Sequence, residues 1–351
     1  MQTAEPKIAS TLRVLVVDDS AFVRKVVKEM LSGDTGIEVL ATARDGEEAL
    51  ALTESLRPDV VVCDLMMPKL NGVEYIRRQM KLRPLPILVL SAAAQNAAEV
   101  IDALSAGAID VVTKPNALAT DDLRVVRNEL VEKLLGTSSA VPRILESAVI
   151  PQPVLRPKPG PTKVDIVVIG ISTGGPQALR KMIPMLAADF PVPVAVVLHM
   201  PVGYTSMYAE KLNELSQLEV KEVNEGDLMR PGMVYVAQAG RHFGFRKMPD
   251  GTVVAHLTMQ PLEKIHRPAA DVLFKSASEV YGDRVLAVVM TGMGDDGKEG
   301  SAWVKAQGGT VFTEDEKSCI IYGMPRSVNE AGLSDGTFTL DDMAQAITSR
   351  I

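Results

Sequence analysis

Asp165-Ile-Val-Val-Ile-Gly-Ile-Ser-Thr-Gly-Gly-Pro176 is the stretch on which the reading of this chain turns. Its β-branched, apolar run has strand character up to Gly170, Ser172 follows at once, and Gly174, Gly175 and Pro176 open a helix predicted from Gln177. A serine in a glycine-flanked strand-to-helix turn exposes its hydroxyl, and the helix start beneath it offers N–H groups to a developing oxyanion. Two other readings fit the same letters. A dinucleotide fingerprint wants glycine at its second position, where Ser172 stands, and the next strand, Val192–Leu198, ends in His199 rather than in an acid suited to a ribose. The third reading is a small-residue turn without chemistry.

Outward from this turn the chain keeps alternating. From Val164 onward, strands are predicted at 165–169, 192–198, 218–220, 233–237, 252–257, 285–290 and 309–312, with helices at 177–187, 204–215, 269–279 and 298–307. Turn signals at Pro231-Gly232 and Asp250-Gly251 make this α/β doubly wound sheet mostly parallel but mixed. Upstream, from Arg13 to Gly136, five strands and five helices alternate, which is the rhythm of a doubly wound, five-stranded parallel sheet. In its last helix Leu123, Val126, Leu130 and Leu134 share one face. Between the two lies a run with prolines at 142, 151, 153, 157, 159 and 161, too proline-rich for a helix or central strand. The expected division is 11–136, a linker at 137–163, and 164–351.

Composition narrows the class. At 351 residues with 46% apolar content, each of two domains has enough to build a core. A net charge of −7 argues against a nucleic-acid surface. Cys63 and Cys319 lie far apart without metal-ligand spacing, so a disulfide framework is excluded, in keeping with a reducing cytoplasm. The N-terminal residues lack a signal pattern, and no apolar run approaches the ~20 residues of a membrane span. The expectation is a cytoplasmic protein without membrane insertion.

In the first domain the polar exceptions fall at strand ends: Asp18-Asp19, Asp64, Ser91 and Lys114. In an open parallel sheet these ends line one crevice. Carboxylates gathered there repel unless a hard divalent cation joins them, and an open oxygen site suits Mg²⁺. A carboxylate facing that cation can attack a phosphoryl group, with Lys114 and Ser91 holding its oxygens. This segment resembles the receiver domain of two-component response regulators, with its flavodoxin-like sheet. The resemblance implies Asp64 as phosphoacceptor, Asp18, Asp19, Asp64 and the Met66 carbonyl around Mg²⁺, and Ser91 and Lys114 as switch residues. It departs at Val111, where many receivers carry an aromatic switch residue.

In the second domain, His199 closes the strand in Val-Val-Leu-His-Met-Pro (196–201), and Thr-Gly-Met-Gly-Asp-Asp-Gly (291–297) follows another strand. If these strands neighbour that of Ser172, serine, a histidine base and an orienting carboxylate meet at one sheet edge, the unit of acyl transfer. The chain order Ser, His, Asp rules out the α/β-hydrolase elbow, which runs Ser, acid, His. His242 is read as a loop residue packing on Phe243 and Phe245, His256 as part of a strand alternation, and Met200, Met293 and Met324 as a possible apolar rim.

The words Gly-Ile-Ser-Thr-Gly-Gly (170–175), His-Met-Pro (199–201), His-Arg-Pro-Ala-Ala-Asp-Val-Leu-Phe (266–274), Met-Thr-Gly-Met-Gly-Asp-Asp-Gly (290–297) and Tyr-Gly-Met-Pro (322–325) resemble the catalytic domain of the CheB family of chemoreceptor methylesterases. That resemblance, which spans almost the whole chain, implies Ser172 as nucleophile, His199 as base and Asp296 as orienting acid, with Thr173 and Met293 lining the site. It further implies hydrolysis of γ-glutamyl methyl esters on chemoreceptors, deamidation of receptor glutamines, and a chemotaxis histidine kinase as phosphodonor. No cofactor is expected for the hydrolysis itself. A serine hydrolase of other specificity, or a silent signalling adaptor, would carry the same folds.

Overall fold

A computed structural model describes residues 11–91, 97–114, 120–137 and 164–351. They form two compact units, one around each of two large parallel sheets. From residue 138 on, the predicted linker lies outside the described residues.

In chain order the first sheet and the helices between its strands are β1 (Leu12–Val17), α1 (Ala21–Ser32), β2 (Ile37–Ala43), α2 (Gly46–Leu56), β3 (Val60–Cys63), α3 (Gly72–Leu82), β4 (Ile87–Ser91), α4 (Ala97–Ala106), β5 (Asp110–Thr113) and α5 (Thr120–Gly136). Helices begin where a short polar side chain can satisfy an orphan N–H: Ser20, Asp45 and Asn71 accept from the backbone of Val23, Glu48 and Glu74. On α5, Leu130 and Leu134 are buried as their spacing predicted. All strand pairs are parallel and the order is β2-β1-β3-β4-β5. The order therefore reverses between β1 and β3, where such sheets open a crevice at their C-terminal edge.

The second unit continues with β6 (Ile166–Ile171), α6 (Gly175–Met182), β7 (Val194–Leu198), α7 (Thr205–Leu215), β8 (Glu219–Glu222), β9 (Met233–Val236), β10 (His242–Lys247), β11 (Val253–Thr258) and α8 (Ala270–Tyr281). It ends with β12 (Val285–Val289), α9 (Lys298–Ala306), β13 (Thr310–Glu314), α10 (Met324–Glu330), β14 (Gly336–Phe338) and α11 (Leu340–Arg350). Seven strands form one sheet, β14-β13-β12-β6-β7-β9-β8, and every pairing in it is parallel. The antiparallel component signalled by Asp250-Gly251 is a separate hairpin, β10–β11. Strands β6, β7 and β12 are buried along their whole length, as expected for a sheet covered on both faces. Phe243, Phe245 and Phe274 fill one layer between the sheet, the hairpin and α8. Each such side chain contributes about 1.5–3 kcal/mol by leaving water.

Four elements were not anticipated: β10, α10, β14 and α11. The α11 signal was present, since Leu340, Met343, Ala344 and Ile347 are buried at helical spacing behind Thr339. β10 is harder to see, because His242-Phe-Gly-Phe lacks β-branched residues and its glycine reads as a loop. Among the described residues no helix is long and apolar enough to cross a membrane.

Candidate active site

In the seven-stranded sheet the order reverses at β6, which lies between β12 and β7. Their registers bring the three C-terminal ends level, with Gly170 opposite both Val289 and Val197. The chain stays knitted beyond the strands. Met290 N–H donates to the Gly170 carbonyl, Ser172 N–H to that of Thr291 and His199 N–H to that of Ile171. Residues 172, 199 and 291 are thus pinned at one edge before any side chain is considered.

Two glycines make the turns possible. Gly174 caps α6 at φ 82°, a left-handed conformation that side chains rarely adopt. Gly292 lies so close to the nucleophile turn that an added Cβ would sit 2.8 Å from Ser172 Cβ and 2.4 Å from Met324 Sδ. Met324 is fully buried beneath this loop, not at a rim; Met200 is buried as well, and Met293 is half-buried. Thr291 fastens the loop. Its N–H donates to buried Glu314, its hydroxyl to the Thr173 carbonyl, and its Oγ1 accepts from Ile320 and Ile321 N–H.

The three predicted side chains meet in a hydrogen-bonded line. His199 Nδ1 lies 3.1 Å from Ser172 Oγ, and His199 Nε2 lies 2.8 Å from Asp296 Oδ2. With Nε2–H donated to the carboxylate, Nδ1 is left to accept the serine proton. Asp296 also receives the Ala270 N–H at 2.7 Å and the Asp271 N–H at 3.0 Å, at the start of α8. Burial by itself would raise its pKa, but His199 and these main-chain donors more than offset it and hold the carboxyl well below the usual range. Asp296 is thus held as a carboxylate beside the imidazole.

Asp271 is a neighbour the sequence reading did not assign. Its Oδ1 accepts from Gly297 and Gly300 N–H, and Lys264 bonds its Oδ2 at 2.8 Å. Burial, followed by the charge of Asp296, raises its pKa. Its position three residues into the Pro-Ala-Ala-Asp word is the signal that could have found it. Asp295 is exposed, and its carbonyl, rather than its side chain, accepts from Lys298 at the start of α9. Two histidines are placed differently from expectation or were left without a role. His242 is the first residue of β10, not a loop residue; it is fully buried, and its Nε2 lies 3.1 Å from the Pro261 carbonyl. His266 stacks on His199, with ring centroids 4.2 Å apart and planes inclined by 21°. His256 sits in β11 as read, near Glu225.

In the first unit, Asp18, Asp19 and Asp64 each offer a carboxylate oxygen within 4.8 Å of the others. Lys114 Nζ reaches Asp18 at 2.7 Å and Asp64 at 2.9 Å. Burial is the main influence on Asp64 and raises its pKa; Asp18 adds to the rise and Lys114 counters it. Ser91 is buried at the end of β4, and its carbonyl accepts the Lys114 N–H at 2.7 Å. Met66 follows in the β3–α3 loop with its side chain exposed, and Val111 is buried in β5. One lysine against three carboxylates leaves negative charge uncompensated, a donor set that fits a hard divalent cation.

The CheB methylesterase family matches residues 167–347, and the response regulator receiver domain matches residues 14–125. A protein-glutamate methylesterase/protein-glutamine glutaminase of Myxococcus xanthus is 44% identical over 96% of this chain and 97% of its own length. The Bacillus subtilis protein of the same name is 40% identical over 96% and 98%. The crystal structure of the Thermotoga maritima CheB methylesterase catalytic domain, 40% identical, superposes with a TM-score of 0.52 on 54% of this chain and 99% of its own. The chain belongs to the CheB methylesterase family: it is a carboxylic ester hydrolase that carries a receiver domain.

Proposed function

We propose that this member of the CheB methylesterase family hydrolyses γ-glutamyl methyl esters on chemoreceptors, deamidates receptor glutamines at the same site, and is activated by phosphorylation of Asp64. The observation that carries the reading is the line Ser172 Oγ, His199 Nδ1, His199 Nε2, Asp296 Oδ2 at the switch point of the second sheet. Ser172 Oγ attacks the ester carbonyl carbon while its proton passes to His199 Nδ1. The tetrahedral oxyanion is met by main-chain N–H groups around Thr173 or in the 292–294 loop, which passes directly against Ser172 and whose Gly292 N–H is already donated to the Ile321 carbonyl. The intermediate collapses, and the departing methoxide takes the proton from Nδ1 and leaves as methanol. A water molecule then gives its proton to Nδ1, attacks the acyl-serine, and releases the glutamate carboxylate with the serine hydroxyl restored. With a glutamine in place of the ester, ammonia leaves instead.

Asp296 holds the tautomer and the imidazolium throughout. Thr173 and Met293 line the site through the main chain around them. In the receiver, Asp18, Asp19, Asp64 and the Met66 carbonyl would hold Mg²⁺, which neutralises charge between the carboxylates and an incoming phosphoryl group. Asp64 accepts that group from a chemotaxis histidine kinase in the cytoplasm, and Lys114 and Ser91 turn toward its oxygens.

The test is methanol release from methylated chemoreceptor fragments by the full chain, with and without Mg²⁺ and acetyl phosphate. Release that rises with the phosphodonor in the native chain but not in Asp64→Ala supports the reading. If the unphosphorylated receiver restrains hydrolysis, a chain beginning near Lys163 is faster than the unphosphorylated full chain; equal rates argue against that restraint. Hydrolysis of small esters without methanol release would point to a different substrate.

A further inference from the structure

The catalytic imidazole is held by its edges, with Ser172 on one nitrogen and Asp296 on the other. Such bonds fix the ring within its plane but resist tilting weakly. The face of the ring is where His266 lies, 4.2 Å away and nearly parallel. His266 is exposed, so its ring shields His199 on one side and meets solvent on the other.

The segment that carries His266, between β11 and α8, is tied on both sides of it. Upstream, the Pro261 carbonyl lies 3.1 Å from buried His242 Nε2, and Lys264 bridges Asp271 on α8 and Glu299 on α9. Downstream, the Arg267 carbonyl accepts the Gly240 N–H at 2.9 Å. A ring set on a segment so anchored can fix the tilt of the ring beneath it. The charged groups around the pair are Lys264 and Arg267 on the same segment, Arg241 beside Gly240, Asp271 and Glu299 held by Lys264, and Asp296 itself.

Stacking has a consequence for the rate. His199 is neutral before attack and an imidazolium in the transition state. The face of a neutral aromatic ring attracts a cation more than a neutral partner. An interaction stronger in the transition state than in the ground state raises kcat rather than lowering KM. A proton on His266 would reverse that attraction.

We propose that His266 is a positioning residue for the triad: its flat, neutral ring holds the plane of His199 and stabilises the imidazolium formed during attack. The inference rests on the triad reading above. The experiment follows methanol release by the full chain, and labelling of Ser172 by a fluorophosphonate, which needs the activated serine but no particular substrate. His266→Ala is expected to lower kcat and the labelling rate about tenfold with KM within about twofold, the scale of one stacking or cation–π contact. His266→Phe, which keeps the ring without its proton, is expected to return both rates to within about threefold of native.

Native kcat and labelling in His266→Ala would overturn the proposal. So would a His266→Phe variant as slow as His266→Ala with a native melting temperature, because a flat ring would then not be what matters. Native labelling in Ser172→Asp or methanol release by Ser172→Ala would sink the triad itself. An inert Ser172→Ala beside a native His266→Ala sinks only this inference.

Discussion

The two sheets place a carboxylate at the same kind of position, and the two carboxylates end in opposite electrostatic states. Asp64 leaves β3 and Asp296 follows β12, each at the C-terminal edge of a parallel sheet. Both are removed from water, which on its own raises a carboxyl pKa. Around Asp64 the charged neighbours are a further carboxylate and Lys114, and although Lys114 and the Leu65 N–H counter the burial, its pKa stays raised. Around Asp296 the neighbours are His199 and the first N–H groups of α8, and its pKa is lowered. One site lacks positive charge and suits an arriving cation and phosphoryl group. The other has its carboxylate matched by donors within the chain. A sheet edge supplies only the location, and the neighbouring donors decide the chemistry.

The contrast is tested most severely at the site of Asp296. Ser172→Ala should reduce methanol release by roughly 10⁴-fold or more while leaving the melting temperature near native, because the glycine-rich turn tolerates alanine. Ester turnover near the native rate would remove this residue from the mechanism.

Asp296→Asn should cost about 10²–10⁴-fold in kcat, since an amide favours the wrong tautomer of His199. Exposed Asp295→Asn should stay close to native. A reversed ranking of these neighbours would move the orienting acid by one residue.

At the site of Asp64 the expected effect is on response rather than on basal rate. Chelation of Mg²⁺, or Asp64→Asn, should abolish stimulation by acetyl phosphate, about tenfold or more. Chelation should leave hydrolysis by the unphosphorylated chain unchanged. Loss of basal hydrolysis on chelation would break the comparison, for it would make both sites metal-dependent.

The smallest expected effect is on stability, and its sign differs between the two carboxylates. Asp64 binds its proton more tightly when folded, so its ionisation opposes folding as pH rises through that raised value. Asp64→Asn should therefore raise the melting temperature by a few degrees at neutral pH without divalent cations, and the gain should vanish in acid. Asp296, lowered in the fold, contributes stability that is fully present above the ordinary Asp range of about 3.9 and is lost as pH falls through its folded value. Asp296→Asn should lower the melting temperature at neutral pH, with the gap closing as the acid is increased. Thermal melts across pH check both signs.

Much of this molecule is legible in its letters because a parallel sheet exports all its strand ends to one edge. Alternation of apolar runs with helical spacing located the elements of the first unit. The polar residues that broke those runs, Asp18, Asp64, Lys114, Ser172 and His199, marked the sites with no knowledge of pairing. Loops of small and polar residues such as 291–297 are legible as loops, and Gly292 has to be glycine only because another chain segment passes against it.

Strand order was decided by the tertiary structure alone. Ser172, His199 and Asp296 meet because β6 lies between β7 and β12, and nothing local to any of the three strands specifies that neighbourhood. The same holds for the nitrogen that faces the serine, for the α8 donors that lower Asp296, and for the rings of His242 and His266. These depend on contacts between residues tens of positions apart. Periodicity and spacing report which face of its own element a residue occupies; only the packed chain determines what that face meets.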